Sequence, residues 1–145
     1  MDIAVLEDKL IETLKQGMTY LKYADTYQGE LDEKSIAQFA MNFPALLIYM
    51  EDTTYTNRSY PMMWQNAQFT ILLCDRNLRG NKNARRGDLS NPGTYKMLAD
   101  VYSLLHDKTL DLLTYPLVAV SEHALINSRQ LSVYAAVYKT KQPKN

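Results

Sequence analysis

Residues 64–75, WQNAQFTILLCD, constrain the fold more than any other stretch of the chain. In an extended backbone, Ala67, Phe69, Ile71 and Leu73 point one way while Asn66, Gln68, Thr70 and Leu72 point the other. The same period of two returns in RQLSVYAAVYKT, residues 129–140. There Leu131, Val133, Ala135 and Val137 alternate with Ser132, Tyr134, Ala136 and Tyr138. Two such segments require a sheet with at least one buried face, and something must cover that face.

The cover is readable as two helices. Ile3, Leu6, Leu10 and Leu14 recur at spacings of three and four, with Glu7, Lys9, Glu12 and Lys15 off the stripe. This predicts an amphipathic helix over residues 3–16, capped by Asp2 and ended by a left-handed Gly17. NPGTYKMLADVYSLLHD, residues 91–107, places Tyr95, Leu98, Val101 or Tyr102, and Leu105 on one face of a second long helix. Between them lie a Thr/Tyr-rich strand near MTYLKYADTY and a short helix from Ser35 that stops before Pro44. PALLIYMED reads as a buried strand, TTYTNRSYP as a loop, and LLTYPLVAVSEHAL as a strand in a hairpin turning at Asn127 and Ser128. KQPKN, residues 141–145, reads as a disordered tail after a single domain spanning residues 1–140. The expected fold is α+β: a two-layer arrangement with a mostly antiparallel sheet of four to five strands and two main helices on one face. The open face is expected to carry Tyr134, Tyr138, Gln68 and Thr70, an aromatic surface suited to binding another protein chain.

Composition narrows the function. The 145 residues hold 16 basic and 16 acidic side chains, a balance that nucleic-acid-binding domains seldom have. The balance hides a split. Residues 1–60 carry ten acidic and five basic side chains, a net of −5; residues 61–145 carry eleven basic and six acidic, a net of +5. Opposite charge on the two parts suits a chain that associates head to tail with copies of itself. No apolar run reaches the roughly 20 residues that cross a bilayer, so no membrane partner is expected. MDIAVLEDKL lacks the basic start of a secretory signal, and the single cysteine, Cys74, cannot form an internal disulfide; both read as an intracellular origin.

Chemistry is sparse. His106 falls at the end of a predicted helix, where the helix dipole favours a cation, and His123 falls in a strand. Neither has the spacing of a metal site, and Cys74 has no activating neighbour in sequence. Glu7–Asp8 and Asp32–Glu33 sit at or near helix starts, where negative charge complements the dipole. Asn57-Arg58-Ser59 matches a glycosylation acceptor, which has no meaning without secretion. No glycine-rich phosphate cradle occurs. No enzyme, no cofactor and no metal are expected.

The concentration of positive charge in CDRNLRGNKNARRGDLSNPGTY, residues 74–95, is the one functional signal. Arg76, Arg79, Lys82, Arg85 and Arg86 stand against Asp75 and Asp88. A loop this long in a compact domain is functional or disordered. No aromatic lies between Cys74 and Thr94, whereas single-strand binders interleave aromatics with their cations. Guanidinium forks bind protein carboxylates as well as phosphates. The loop therefore reads as a protein interface, with a solvated excursion and phosphate contact as alternatives.

RNLRGNKNARRG (76–87), NPGTYKMLADVYSLL (91–105), PLVAVSEHALIN (116–127) and the final Tyr-rich strand, with FPALLIYMED (43–52) upstream, together resemble a Mu-like phage protein family. That family is similar in fold and gene position to phage tail terminator proteins. The resemblance covers about residues 43–140. The chain departs from the pattern in a longer stretch between Thr53 and Pro61 and an inserted-looking Gly80–Asn83. The resemblance implies a structural protein forming a ring, commonly of six subunits, at the head-proximal end of a tail tube. Such a ring stops tube polymerisation and offers a docking surface to neck or head-completion proteins. The implied partners are the chain itself, the tail tube protein and the neck proteins, with no specific nucleic-acid binding. The implied location is the bacterial host cytoplasm during assembly, then a virion or tail-like particle. A head–tail connector, another minor tail protein and a nucleic-acid module using the basic loop remain alternatives.

Overall fold

The computed structural model describes residues 1–144. Its centre is a five-stranded sheet in the order β1-β2-β3-β5-β4. The strands are β1 (Tyr23–Thr26), β2 (Ala45–Ser59), β3 (Met62–Arg76), β4 (Val118–Asn127) and β5 (Leu131–Lys144). Only β1 and β2 pair in parallel; the other three pairings are antiparallel. The helices are α1 (Ile3–Gly17), α2 (Ile36–Phe39) running into a 3-10 turn (Ala40–Asn42), α3 (Asn81–Arg86) and α4 (Thr94–Leu105). The α+β architecture matches the expectation from alternation and helical spacing.

Both long helices cover one face. Leu6, Leu10 and Leu14 of α1 and Met97, Leu98, Val101 and Leu105 of α4 pack on Phe69, Ile71 and Leu73 of β3. The Asp2 carboxylate caps α1, accepting from the backbone N–H groups of Ala4 (2.9 Å) and Val5 (3.3 Å). Gly17 is not the left-handed stop that was expected. It is the last residue of the helix, and Met18 N–H closes the end on the Leu14 carbonyl (2.8 Å). A Cβ at Gly17 would lie 2.5 Å from Leu104 Cδ1, so the residue is small because the two helices approach there. The opposite face is covered only at one end, where Phe39, Ala40 and Phe43 pack on Leu47, Leu72 and Cys74.

Three other expectations change. TTYTNRSYP is not a loop: β2 continues to Ser59 and pairs with β3 down to Ser59↔Met62. Threonine and tyrosine favour strands, and a ribbon exposed to solvent carries polar side chains without leaving the sheet. Residues 141–144 are not a frayed tail but the end of β5, paired with Met63–Asn66 of β3; Asn145 lies outside the described residues. Third, Tyr134 and Tyr138 are not on the open face. The register sets Phe69 opposite Tyr138 and Leu73 opposite Tyr134, so both tyrosines point to the helices. Tyr138 is 1% exposed and stacks on Phe69 at 6.2 Å. Thr70, expected on the open face, is buried as well.

The Tyr138 hydroxyl is buried with no partner among the described residues, and burial pushes its pKa up. A buried hydroxyl without a hydrogen bond carries its full desolvation cost. Tyr138→Phe is therefore expected to leave stability unchanged or raise it by about 1 kcal/mol, read from denaturant melts. A loss of more than about 1 kcal/mol would show that the hydroxyl is satisfied.

Candidate interface: a basic cap latched to the sheet

The basic stretch is ordered, and short polar side chains order it. Asp75, fully buried at the end of β3, accepts from Asn91 Nδ2 (3.0 Å), Gly93 N–H (2.8 Å) and Arg76 N–H (2.8 Å). Burial holds its carboxyl above the usual range, partly offset by those three donors. Asp88 accepts from Asn77 Nδ2 (2.8 Å), Ser90 N–H (2.9 Å) and Asn91 N–H (3.1 Å). The Asn77 bond is the main reason its carboxyl is held low. These two aspartates close residues 75–93 into a latch.

Inside the latch, α3 carries three of the cations. Asn81 Nδ2 donates to the carbonyls of Ser128 (2.8 Å) and Leu131 (3.0 Å), tying α3 to the turn between β4 and β5. Arg85 is turned inward: its Nε donates to Asn81 Oδ1 (2.7 Å) and one Nη to the Tyr95 hydroxyl (2.9 Å). That Arg85 bond leads the influences that lower the Tyr95 hydroxyl pKa. Tyr95 meets Tyr134 edge-on at 6.0 Å, and burial raises the Tyr134 pKa. Lys82 and Arg86 are exposed on the outer side of α3. Arg79 is 74% exposed in its side chain and reaches Asp88 only at 3.8 Å, an ion pair worth little in solvent. Arg76 is half-buried and lines a hollow of about 290 Å³ with Lys22 and Phe43.

The seven residues singled out in the sequence thus divide. Arg79, Lys82 and Arg86 form an outward basic surface. Arg85 and Tyr134 belong to the scaffold beneath it, joined through Tyr95, and Arg76 sits at its margin. Tyr138 belongs to the core. The family model described as bacteriophage Mu, Gp37, matches residues 2–143.

The chain belongs to that family. The match takes in the N-terminal helix as well as the motifs from Phe43 onward. Membership in the Mu Gp37 family makes this a phage structural or assembly protein, associated with the virion. No curated protein matches the chain. No helix among the described residues of this Gp37-family chain is long and apolar enough to cross a membrane. Of its latch residues, Asp75 and Asp88 enter a search for charge only as counterweights to the cations, and Asn77 and Asn91 escape it. Their signal is instead the density of Asp, Asn and Gly, side chains and backbones that make local turns.

Proposed function

We propose that this Gp37-family chain is a tail terminator. Copies form a ring, of six subunits by analogy with tail terminators, on the head-proximal end of the tail tube. The ring stops tube growth and presents a docking surface to neck proteins. The observation that carries the reading is the cap: Arg79, Lys82 and Arg86 are held outward on a latched scaffold, ready for carboxylates of a neighbouring subunit or tail protein. The backbone beneath these cations is already ordered by the latch, so docking need not order it. The split of −5 and +5 between the two parts of the chain supports contact between unlike surfaces, as a ring requires. The cap faces protein rather than the channel, since a basic lumen would retard passing DNA through phosphate contacts. The role is non-enzymatic and needs no cofactor. The protein acts in the host cytoplasm during assembly and stays with the finished particle.

Purified chain added to polymerising tail tube protein is expected to shorten the tubes, measured by electron microscopy. Arg79→Glu/Lys82→Glu/Arg86→Glu is expected to weaken that effect at least tenfold in effective concentration while its melting temperature stays near wild type. Tubes of unchanged length with wild-type protein would count against the terminator reading. Full activity of the triple variant would count against the cap.

A further inference from the structure

The sheet face opposite α1 and α4 is uncovered along the rows Asp52–Gln68–Lys139, Thr54–Asn66–Lys141 and Thr56–Trp64–Pro143. A cavity of about 450 Å³ opens there, walled by Trp64, Tyr115, Pro116 and Val118 beside Lys139 and Lys141. The Tyr115 ring meets Trp64 edge-on at 5.4 Å. Arg58 and Lys141 sit over the Trp64 ring at 5.0 Å and 4.7 Å from its centroid. Arg58, Lys139 and Lys141 have no ion-pair partner among the described residues; the pairs there are Arg79–Asp88 and Lys96–Asp100. An apolar hollow whose lining holds Lys139 and Lys141 against the single carboxylate of Asp52, with Arg58 over Trp64, fits an apolar side chain accompanied by carboxylates.

One segment at the other end of this sheet face carries two exposed carboxylates and, further along, an exposed methionine. Residues 29–34 form an acidic turn leading into α2, exposed at residues 32–34. Asp32 uses one carboxylate oxygen to cap that turn, accepting from Lys34 N–H (3.0 Å) and Ser35 N–H (2.9 Å), while Glu33 is exposed and has no ion pair among the described residues. At the other end of the same helical segment, Met41 is 67% exposed. The segment covers one end of this sheet face, packing on Leu47, Leu72, Cys74, Val133 and Ala135, and the cavity opens towards the other end. Two unlike, complementary surfaces on one chain are what a closed ring of identical subunits uses.

We propose that a second copy of this chain fills the cavity. Met41 of one subunit seats against Trp64 and Tyr115 of the next, where its thioether makes favourable contacts with the rings. Asp32 and Glu33 then face Lys139 and Lys141. The inference rests on the ring reading and names its subunit contact, leaving the basic cap for a different tail protein.

Two variants test it. Lys139→Glu/Lys141→Glu makes the cavity rim acidic, and Asp32→Asn/Glu33→Lys makes the turn basic while asparagine preserves the cap. All four side chains are exposed, and melting temperatures check that both variants fold. By analytical ultracentrifugation, each variant alone is expected to stay monomeric at concentrations where wild type forms rings. An equal mixture is expected to recover the wild-type ring, because every contact then joins opposite charges. Trp64 is the only tryptophan, so its emission is expected to shift on assembly of wild type and of the mixture alone. Rings formed by Lys139→Glu/Lys141→Glu alone, or no recovery in the mixture, would overturn this contact and leave the ring reading standing. Wild-type chain that stays monomeric both alone and on tube ends would overturn the ring reading and the contact with it.

Discussion

Gly93→Ala is expected to destabilise the protein by about 4 kcal/mol or more. Gly93 has φ +81° and ψ 150°, a region that side chains avoid. A Cβ there would lie 2.3 Å from Gly87 N and 2.6 Å from the Arg85 carbonyl oxygen, both backbone atoms that cannot swing away. Backbone strain of about 1–3 kcal/mol adds to overpacking of similar size. The shift would also pull Gly93 N–H from buried Asp75, whose carboxylate would lose a donor. In a thermal melt the midpoint should fall by roughly 12–20 °C. Hydrogen exchange should show residues 75–93 opening first, since they form one latch. A midpoint within about 3 °C of wild type would mean that the latch does not hold the cap.

Phe69→Ala is expected to cost about 3–5 kcal/mol through a different route. Phe69 is fully buried at the middle of the sheet, stacked on Tyr138 and packed beneath the two long helices. Truncation loses transfer energy and leaves a cavity that helices anchored at both ends cannot collapse. The loss should be global: chemical denaturation should shift as one transition, with the cap opening no earlier than the core. A loss under about 1 kcal/mol would mean that the helices do not close over the sheet as described.

The sequence spoke clearly where a period was long and undisturbed. The stripe from Ile3 to Leu14 and the alternation from Ala67 to Leu73 each had enough turns or rows to settle the element and its buried side. Tyr134 and Tyr138 show the limit of that reasoning. Alternation separates the two faces of β5, but only the pairing with β3 decides which face meets the helices. With small residues at Ala135 and Ala136, either side could be taken for the core, and valine outweighed tyrosine in the reading. Both faces are in fact buried along Val133–Ala136, apart from half-buried Tyr134, because α2 and its 3-10 turn cover the second face at that end.

Charge located the cap but not its working residues. Arg85 and Arg86 are indistinguishable as neighbours in sequence, yet one is bonded to Asn81 and Tyr95 and the other is exposed. That difference depends on the side of a two-turn helix, and α3 is too short for its polar sequence to reveal a side. The Trp64 hollow was hidden for another reason. Its walls come from β2, β3, β5 and the chain entering β4, segments scattered through the sequence. TTYTNRSYP looked like a loop because its polarity is that of a ribbon open to solvent on both sides.

The central claim, that this chain ends tail growth, is tested most directly by tail length. The gene would be deleted from the phage or prophage that carries it and the particles measured by electron microscopy. The terminator reading predicts overlong tubes without heads, restored to normal length by the wild-type chain. Tails of normal length that fail to join heads would contradict it and place the protein at the neck.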